Sequence, residues 1–213
     1  MNFGIGDSGF GGPNPESPIP NPLNMSTEIE VKFPLRDRNE LLRKLHDIGA
    51  TRLYPETFED NIVLDRRGEL RTRGALLRVR KFGRYALATY KGPMSIESGG
   101  IKSREEVQTG VESFELAIQL FDSLGFKPVF RYQKFREVWR IRDVEVVIDR
   151  TPIGDYFEIE GPVDLIRKVA SDLGMNMDLA IRQTYADLYR QYRRTRGDLP
   201  ENMVFAPEDL PTA

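Results

Sequence analysis

Glu28-Ile29-Glu30-Val31-Lys32 alternates a full charge with a branched hydrocarbon at every position. Successive side chains of a strand point to opposite sides, so Glu28, Glu30 and Lys32 share one face and Ile29, Val31 and Phe33 the other. The same alternation returns down the chain. Arg78 and Arg80 oppose Leu77 and Val79; Lys91 ends a face opposed by Ala86, Ala88 and Tyr90; Arg104, Glu106 and Gln108 align. Lys134 and Arg136 oppose Phe135, Asp149 lies opposite Val146 and Ile148, and Glu158 and Glu160 oppose Phe157 and Ile159. A sheet solvated on one face accounts for any single strand of this kind. The set departs from it, because solvated faces usually mix in threonine and serine, whereas these carry mainly full charges with arginine prominent. A barrel closed on itself turns all the charged faces inward and packs the apolar faces against helices outside. The expected fold is therefore α+β: a closed antiparallel eight-stranded β-barrel with flanking helices.

The remaining pattern agrees with this division. Strands are expected over 27–33, 60–65, 75–82, 85–91, 103–109, 129–142, 144–150 and 156–161. Asp37 followed by Glu40 opens a capped amphipathic helix that Gly49 closes. A second helix is expected from Ser113 to Leu124, with Leu116, Leu120, Phe121 and Leu124 on one face. A third runs from Val163 to Leu173, and a fourth from Asp178 to Arg194. Glu28-Ile29-Glu30 and Glu158-Ile159-Glu160 each start a strand-then-helix unit, which suggests two related halves. Residues 1–24, with five glycines, five prolines and no lysine or arginine, are expected to form a disordered leader, with Met25 an alternative start. The domain is expected over 25–195. Residues 196–213 resemble a flexible acidic, proline-rich tail, in which Met203-Val204-Phe205 either docks or stays free.

Composition narrows the chemistry. The 213 residues include no cysteine and one histidine, His46, so thiolate metal sites and multi-histidine zinc sites are excluded. Any metal must be held by carboxylates, which favours Mg2+, Mn2+ or Ca2+. Net charge is −2, from 31 basic and 33 acidic residues, and this balance argues against a nucleic-acid surface. No apolar run is long enough to span a bilayer and no secretory signal is present, so the chain reads as cytoplasmic. A barrel interior with about six acids and seven bases must be compensated, since isolated buried ions are very costly. Such a lining suits a polyanion bound together with cations: arginine forks take phosphate oxygens, and clustered carboxylates hold hard divalent ions.

The strand motifs occur in a recognisable order. Glu28-Ile29-Glu30-Val31-Lys32 is followed by Leu77-Arg78-Val79-Arg80, Tyr90-Lys91-Gly92-Pro93, Arg104-Glu105-Glu106, Lys134-Phe135-Arg136, Asp149 and Gly154-Asp155-Tyr156-Phe157-Glu158-Ile159-Glu160. Over about residues 25–192 this series resembles the CYTH superfamily, the triphosphate tunnel metalloenzymes. The resemblance implies that Glu28, Glu30, Glu158 and Glu160 are metal ligands for Mg2+ or Mn2+, with Glu106 and Asp149 joining or supporting them. It implies that Lys32, Arg78, Arg80, Lys91, Lys134 and Arg136 grip phosphate. Asp149 and Lys91 are the expected catalytic residues, with either Asp149 or a metal-bound hydroxide as proton acceptor. Gln108 departs from the pattern, since many members carry a second acid there, and this weakens the case for a second cation.

Within the superfamily, Tyr90–Pro93, Leu124–Val129 and Gly154–Glu160 look most like class IV adenylyl cyclases, which convert ATP to cyclic AMP and pyrophosphate. Two alternatives stay open on the same lining. One is a hydrolase of inorganic, thiamine or nucleoside triphosphate; the other is a polyphosphate- or nucleotide-binding module without turnover. The expected partner is a small-molecule triphosphate, with no nucleic acid and no membrane. A homodimer is left open.

Overall fold

A computed structural model describes residues 26–210 of the chain, so the expected leader lies outside the described residues. The strands are β1 (Ser26–Pro34), β2 (Thr51–Asp65), β3 (Leu76–Phe82), β4 (Tyr85–Lys91), β5 (Ser95–Ile96), β6 (Lys102–Val111), β7 (Lys127–Ile141), β8 (Val144–Thr151) and β9 (Gly154–Glu160). The helices are α1 (Arg38–Asp47), α2 (Glu69–Thr72), α3 (Phe114–Ser123), α4 (Val163–Asp172) and α5 (Tyr185–Arg196). Eight strands follow one another around the sheet as β1-β9-β8-β7-β2-β3-β4-β6, and β6 pairs back onto β1. All pairings are antiparallel and the ring is closed, as the alternation predicts. The two-residue β5 adds to one end of β6.

The main apolar core lies outside this ring. Val31, Phe33, Trp139, Val146, Ile148, Phe157 and Ile159 turn outward from β1, β7, β8 and β9 onto Leu41 and Leu45 of α1 and Ile166, Val169 and Ala170 of α4. These are the positions opposite the charged ones, so the period-2 pattern sorts core from lumen. A second cluster packs α3 onto β2 and β3 through Leu64, Leu77, Val79 and Ala117. The expected cap of α1 forms, with the Asp37 carboxylate accepting from the Glu40 N–H at 2.9 Å, and Ser113, read as the first residue of the second helix, caps α3 by accepting from the Leu116 N–H at 3.2 Å.

Four local readings change. Strand β2 begins at Thr51, nine residues before the expected start. Its pairing with β7 slips between Arg52 and Tyr54 and again between Tyr54 and Thr57, around Pro55, so alternation is broken there. Helix α3 turns Phe114, Ala117, Ile118 and Phe121 to the core, while Leu116, Leu120 and Leu124 face solvent. The helix carries two apolar stripes, and the aromatic one takes the sheet. The fourth expected helix starts at Tyr185, not Asp178, because Thr184 and Asp187 make a reciprocal capping box. Ahead of it, Met177–Leu179 is a single 3-10 turn and Ile181 bridges to Lys32 of β1. The short helix α2 was not expected.

Beyond α5 the chain returns to the barrel. β8 pairs with β7 only from Phe135 onward, and where it stops Met203 takes its place beside Tyr132. The Met203 carbonyl accepts from the Gln133 N–H at 2.8 Å, and the Met203 N–H donates to the Arg131 carbonyl at 3.0 Å. Met203 is fully buried among Tyr132, Tyr185 and Tyr189. Of the two outcomes left open for Met203–Phe205, docking is the one the structure takes.

Candidate active site

Strand register assembles the lumen. β1 lies between β9 and β6, and its pairings are Glu30 with Glu160, Lys32 with Glu158, Glu28 with Arg104 and Glu30 with Lys102. The two Glu-Ile-Glu segments, far apart in the chain, thus become hydrogen-bonded neighbours. Carboxylate oxygens of Glu28, Glu30 and Glu160 lie within 4.8 Å of one another. Like charges directly opposite on a sheet are unfavourable without a counter-ion. All three line a cavity of about 790 Å³ that the barrel encloses.

The triad is unevenly compensated. Glu28 accepts from Lys91 Nζ at 2.5 Å and Arg104 Nε at 2.9 Å, and Glu30 pairs with Lys102 Nζ at 2.5 Å. Burial works to raise the Glu28 carboxyl, but Lys91 and Arg104 hold it well below the usual carboxylate range. Glu160 forms no ion pair within 4 Å among the described residues. Burial pushes its carboxyl well above the usual range, and Glu158, Glu28 and Glu30 add to that against the pull of Arg136. Three hard oxygen donors sharing excess negative charge fit a divalent cation.

Two other acids of the expected ligand set stand apart from this triad. Glu158 pairs with Lys32 at 3.1 Å and Arg136 at 2.8 Å, and these bases outweigh its burial to hold it ionised. Glu106 pairs with Lys91 at 2.9 Å.

Opposite the acids stands a basic wall. Four steps around the eight-stranded ring separate β9 from β3, so Arg78 and Arg80 face Glu158 and Glu160 across the lumen. Arg78 is buried and donates one Nη1–H to the Tyr132 hydroxyl at 3.0 Å. Its Nε and Nη2 meet no hydrogen-bond acceptor, and the Nε of Arg80 has only a long ion pair to Glu59 at 3.5 Å. Buried donors without partners are costly, so these N–H groups are placed for an anion.

Asp149 is fully buried behind Lys134 and Arg136, which line the cavity. It accepts from Arg136 through Nε (2.8 Å) and Nη2 (2.7 Å), from Lys134 Nζ (2.9 Å) and from the Tyr185 hydroxyl (2.7 Å). The Tyr185 ring also lies 3.7 Å under the Lys32 ammonium. Burial and the Asp149 charge keep that phenol well above its ordinary pKa, so it stays a donor.

Sequence reasoning missed several members of the site. Glu59 is fully buried within 3.7 Å of Lys134 and Arg136 and 3.5 Å of Arg80, with no hydrogen bond of its own. Its strand was read as starting one residue later, so the alternation that places it inward was not followed. Lys102 lies one residue before the expected start of β6 and was missed for the same reason. Tyr132 and Tyr185 carry no charge, so the charged alternation did not single them out.

Comparisons with known proteins agree with this geometry. A Methanocaldococcus jannaschii protein provisionally named an adenylate cyclase is 29% identical over 175 residues, covering 76% of this chain and 97% of that protein. The structure of a Vibrio parahaemolyticus protein with the same provisional name superposes with a TM-score of 0.68 at 15% identity, covering 78% and 99% of the two chains. A Hippeastrum protein, provisionally an adenylyl cyclase and described as having a dominant triphosphatase activity, superposes with a TM-score of 0.58 at 15% identity over 78% and 96%. A family model for the CYTH domain matches residues 26–175, and with a closed barrel, a carboxylate triad and a basic wall in one lumen, the chain belongs to the CYTH domain family.

Proposed function

We propose that this chain is a cytoplasmic, divalent-metal-dependent enzyme that acts on a triphosphate, converting ATP to cyclic AMP and pyrophosphate. One observation carries the triphosphate reading: the charge of a single cavity is divided between a carboxylate triad and an arginine pair with N–H groups that make no hydrogen bond. Glu28, Glu30 and Glu160 would hold Mg2+ or Mn2+. When bound, such an ion supplies charge neutralisation and Lewis acidity toward phosphate oxygens.

The chain's own residues do the positioning. Arg78 and Arg80 take phosphate oxygens in fork geometry, while Lys32, Lys91, Lys134 and Arg136 add charge around them. Phosphoryl chemistry depends mainly on such placement and charge stabilisation. Attack of the ribose 3′-hydroxyl on the α-phosphorus forms the cyclic diester and breaks the bond to the bridging oxygen, so pyrophosphate leaves and the hydroxyl proton passes to solvent water. Asp149, expected as a proton acceptor, takes an anchoring part in this reading. The carboxylate already accepts four hydrogen bonds, and it anchors Arg136 and Lys134. Lys91, clasped by Glu28 and Glu106 and held charged by them against its burial, contributes charge and not base strength.

The cyclase reading draws on the sequence motifs and the M. jannaschii relative's name. A triphosphatase is the second reading. The contacts described act on phosphate and none selects a nucleobase, and the Hippeastrum protein joins this fold to triphosphatase activity. Purified protein given ATP, inorganic triphosphate and thiamine triphosphate separately, with Mg2+ or Mn2+, decides between them. Cyclic AMP with pyrophosphate selects the cyclase, and orthophosphate release selects the hydrolase. Equal turnover by Glu30→Gln and the wild type would remove the triad from the chemistry.

A further inference from the structure

We propose that Lys102 is an exchangeable partner of Glu30, displaced by the divalent cation and then recruited by the polyphosphate. The inference rests on the tunnel reading above and adds a residue and a binding order to it. Lys102 lies on β6 directly opposite Glu30, is buried, lines the cavity and holds its ammonium 2.5 Å from Glu30 Oε1. Glu30 itself belongs to the triad. An ammonium and a divalent ion on one carboxylate repel each other, so they compete for it.

A displaced Lys102 is a buried charge in need of an anion. The neighbouring acids offer little, since Glu160 would be taken up by the same cation, Glu28 is held by Lys91 and Arg104, Glu106 by Lys91, and Glu158 by Lys32 and Arg136. An incoming phosphate is the acceptor left, and lysine's flexible stem and three donors suit the transfer. Metal and polyphosphate binding are then positively coupled through one side chain, and the coupling is reciprocal.

Calorimetric titration of the full chain with tripolyphosphate, in EDTA and in Mg2+, tests this with Glu30→Gln, Lys102→Met and the double variant. Glu30→Gln frees Lys102 without metal, so in EDTA it should bind tripolyphosphate about tenfold more tightly than wild type, the worth of one charge-assisted hydrogen bond. The double variant should lose that gain. An equal gain with and without Lys102 means that removal of a negative charge accounts for it, and overturns the proposal while leaving the tunnel reading intact. Failure of the wild type to bind tripolyphosphate in Mg2+ overturns both. Lys102→Gln repeats the comparison should the methionine variant not fold.

Discussion

Glu160 sits opposite Glu30 across the β1–β9 ladder, close to Glu28, and without an ion pair within 4 Å among the described residues. Its neighbours differ from it in this respect, since Glu28 and Glu30 each hold a lysine or arginine. Charge at Glu160 therefore costs the fold something that charge at Glu28 does not. Glu160→Gln keeps the shape and removes that repulsion. In EDTA the variant should melt at or above the wild-type temperature, while the rise in melting temperature that Mg2+ gives the wild type should be lost. A thermal-shift titration reads both. A variant that melts lower in EDTA yet keeps the full Mg2+ response would place the cation elsewhere.

At the scale of elements, the site depends on how β9 ends. Gly161 follows Glu160 with φ of +151° and donates its N–H to the Ile29 carbonyl at 3.1 Å, locking β9 onto β1 beside the triad. A Cβ there would meet the Asp143 carbonyl oxygen at 2.8 Å, and that backbone cannot swing aside as a flexible side chain would. Gly161→Ala should lose about 1–3 kcal/mol of stability by chemical denaturation. It should also weaken Mg2+ binding, because Glu160 is the next residue. Stability lost with Mg2+ affinity unchanged would show that the strand end does not set the triad. Helix α3 teaches a related point: its two apolar stripes are equally legible as sequence, and only the sheet beneath decides that Phe114, Ala117 and Phe121 are the buried ones.

At the scale of the whole molecule, the C-terminal segment completes the barrel wall where β8 has run out. Met203 is buried under Tyr132, Tyr185 and Tyr189, and the first two of these also touch Arg78 and Asp149 of the lumen. Met203→Ala should therefore cost about 2–5 kcal/mol, the usual range for a buried methionine truncated in a core. Its effect should also extend to phosphate affinity, read as a raised KM for the triphosphate, because Tyr132 and Tyr185 lose their backing. An unchanged KM in the destabilised protein would confine the segment to a structural part.

What the sequence determined by itself was the barrel and its polarity. Charge and hydrocarbon alternate with period 2 in strand after strand, and a pattern that local sends Glu30, Arg78 and Lys134 inward and Val31, Val79 and Phe135 away from them. Most of the lumen was legible for that reason, and the helix cap at Asp37 was legible because capping is a matter of neighbours in sequence. The tertiary structure alone decided which charges meet. Glu30 and Glu160 are 130 positions apart, and only the β1–β9 register makes them neighbours while sending Glu158 to Lys32 and Arg136. The same is true of the four donors that turn Asp149 into an anchor and of Lys102 on Glu30. Register is set by closure of the whole ring, and no single strand contains it.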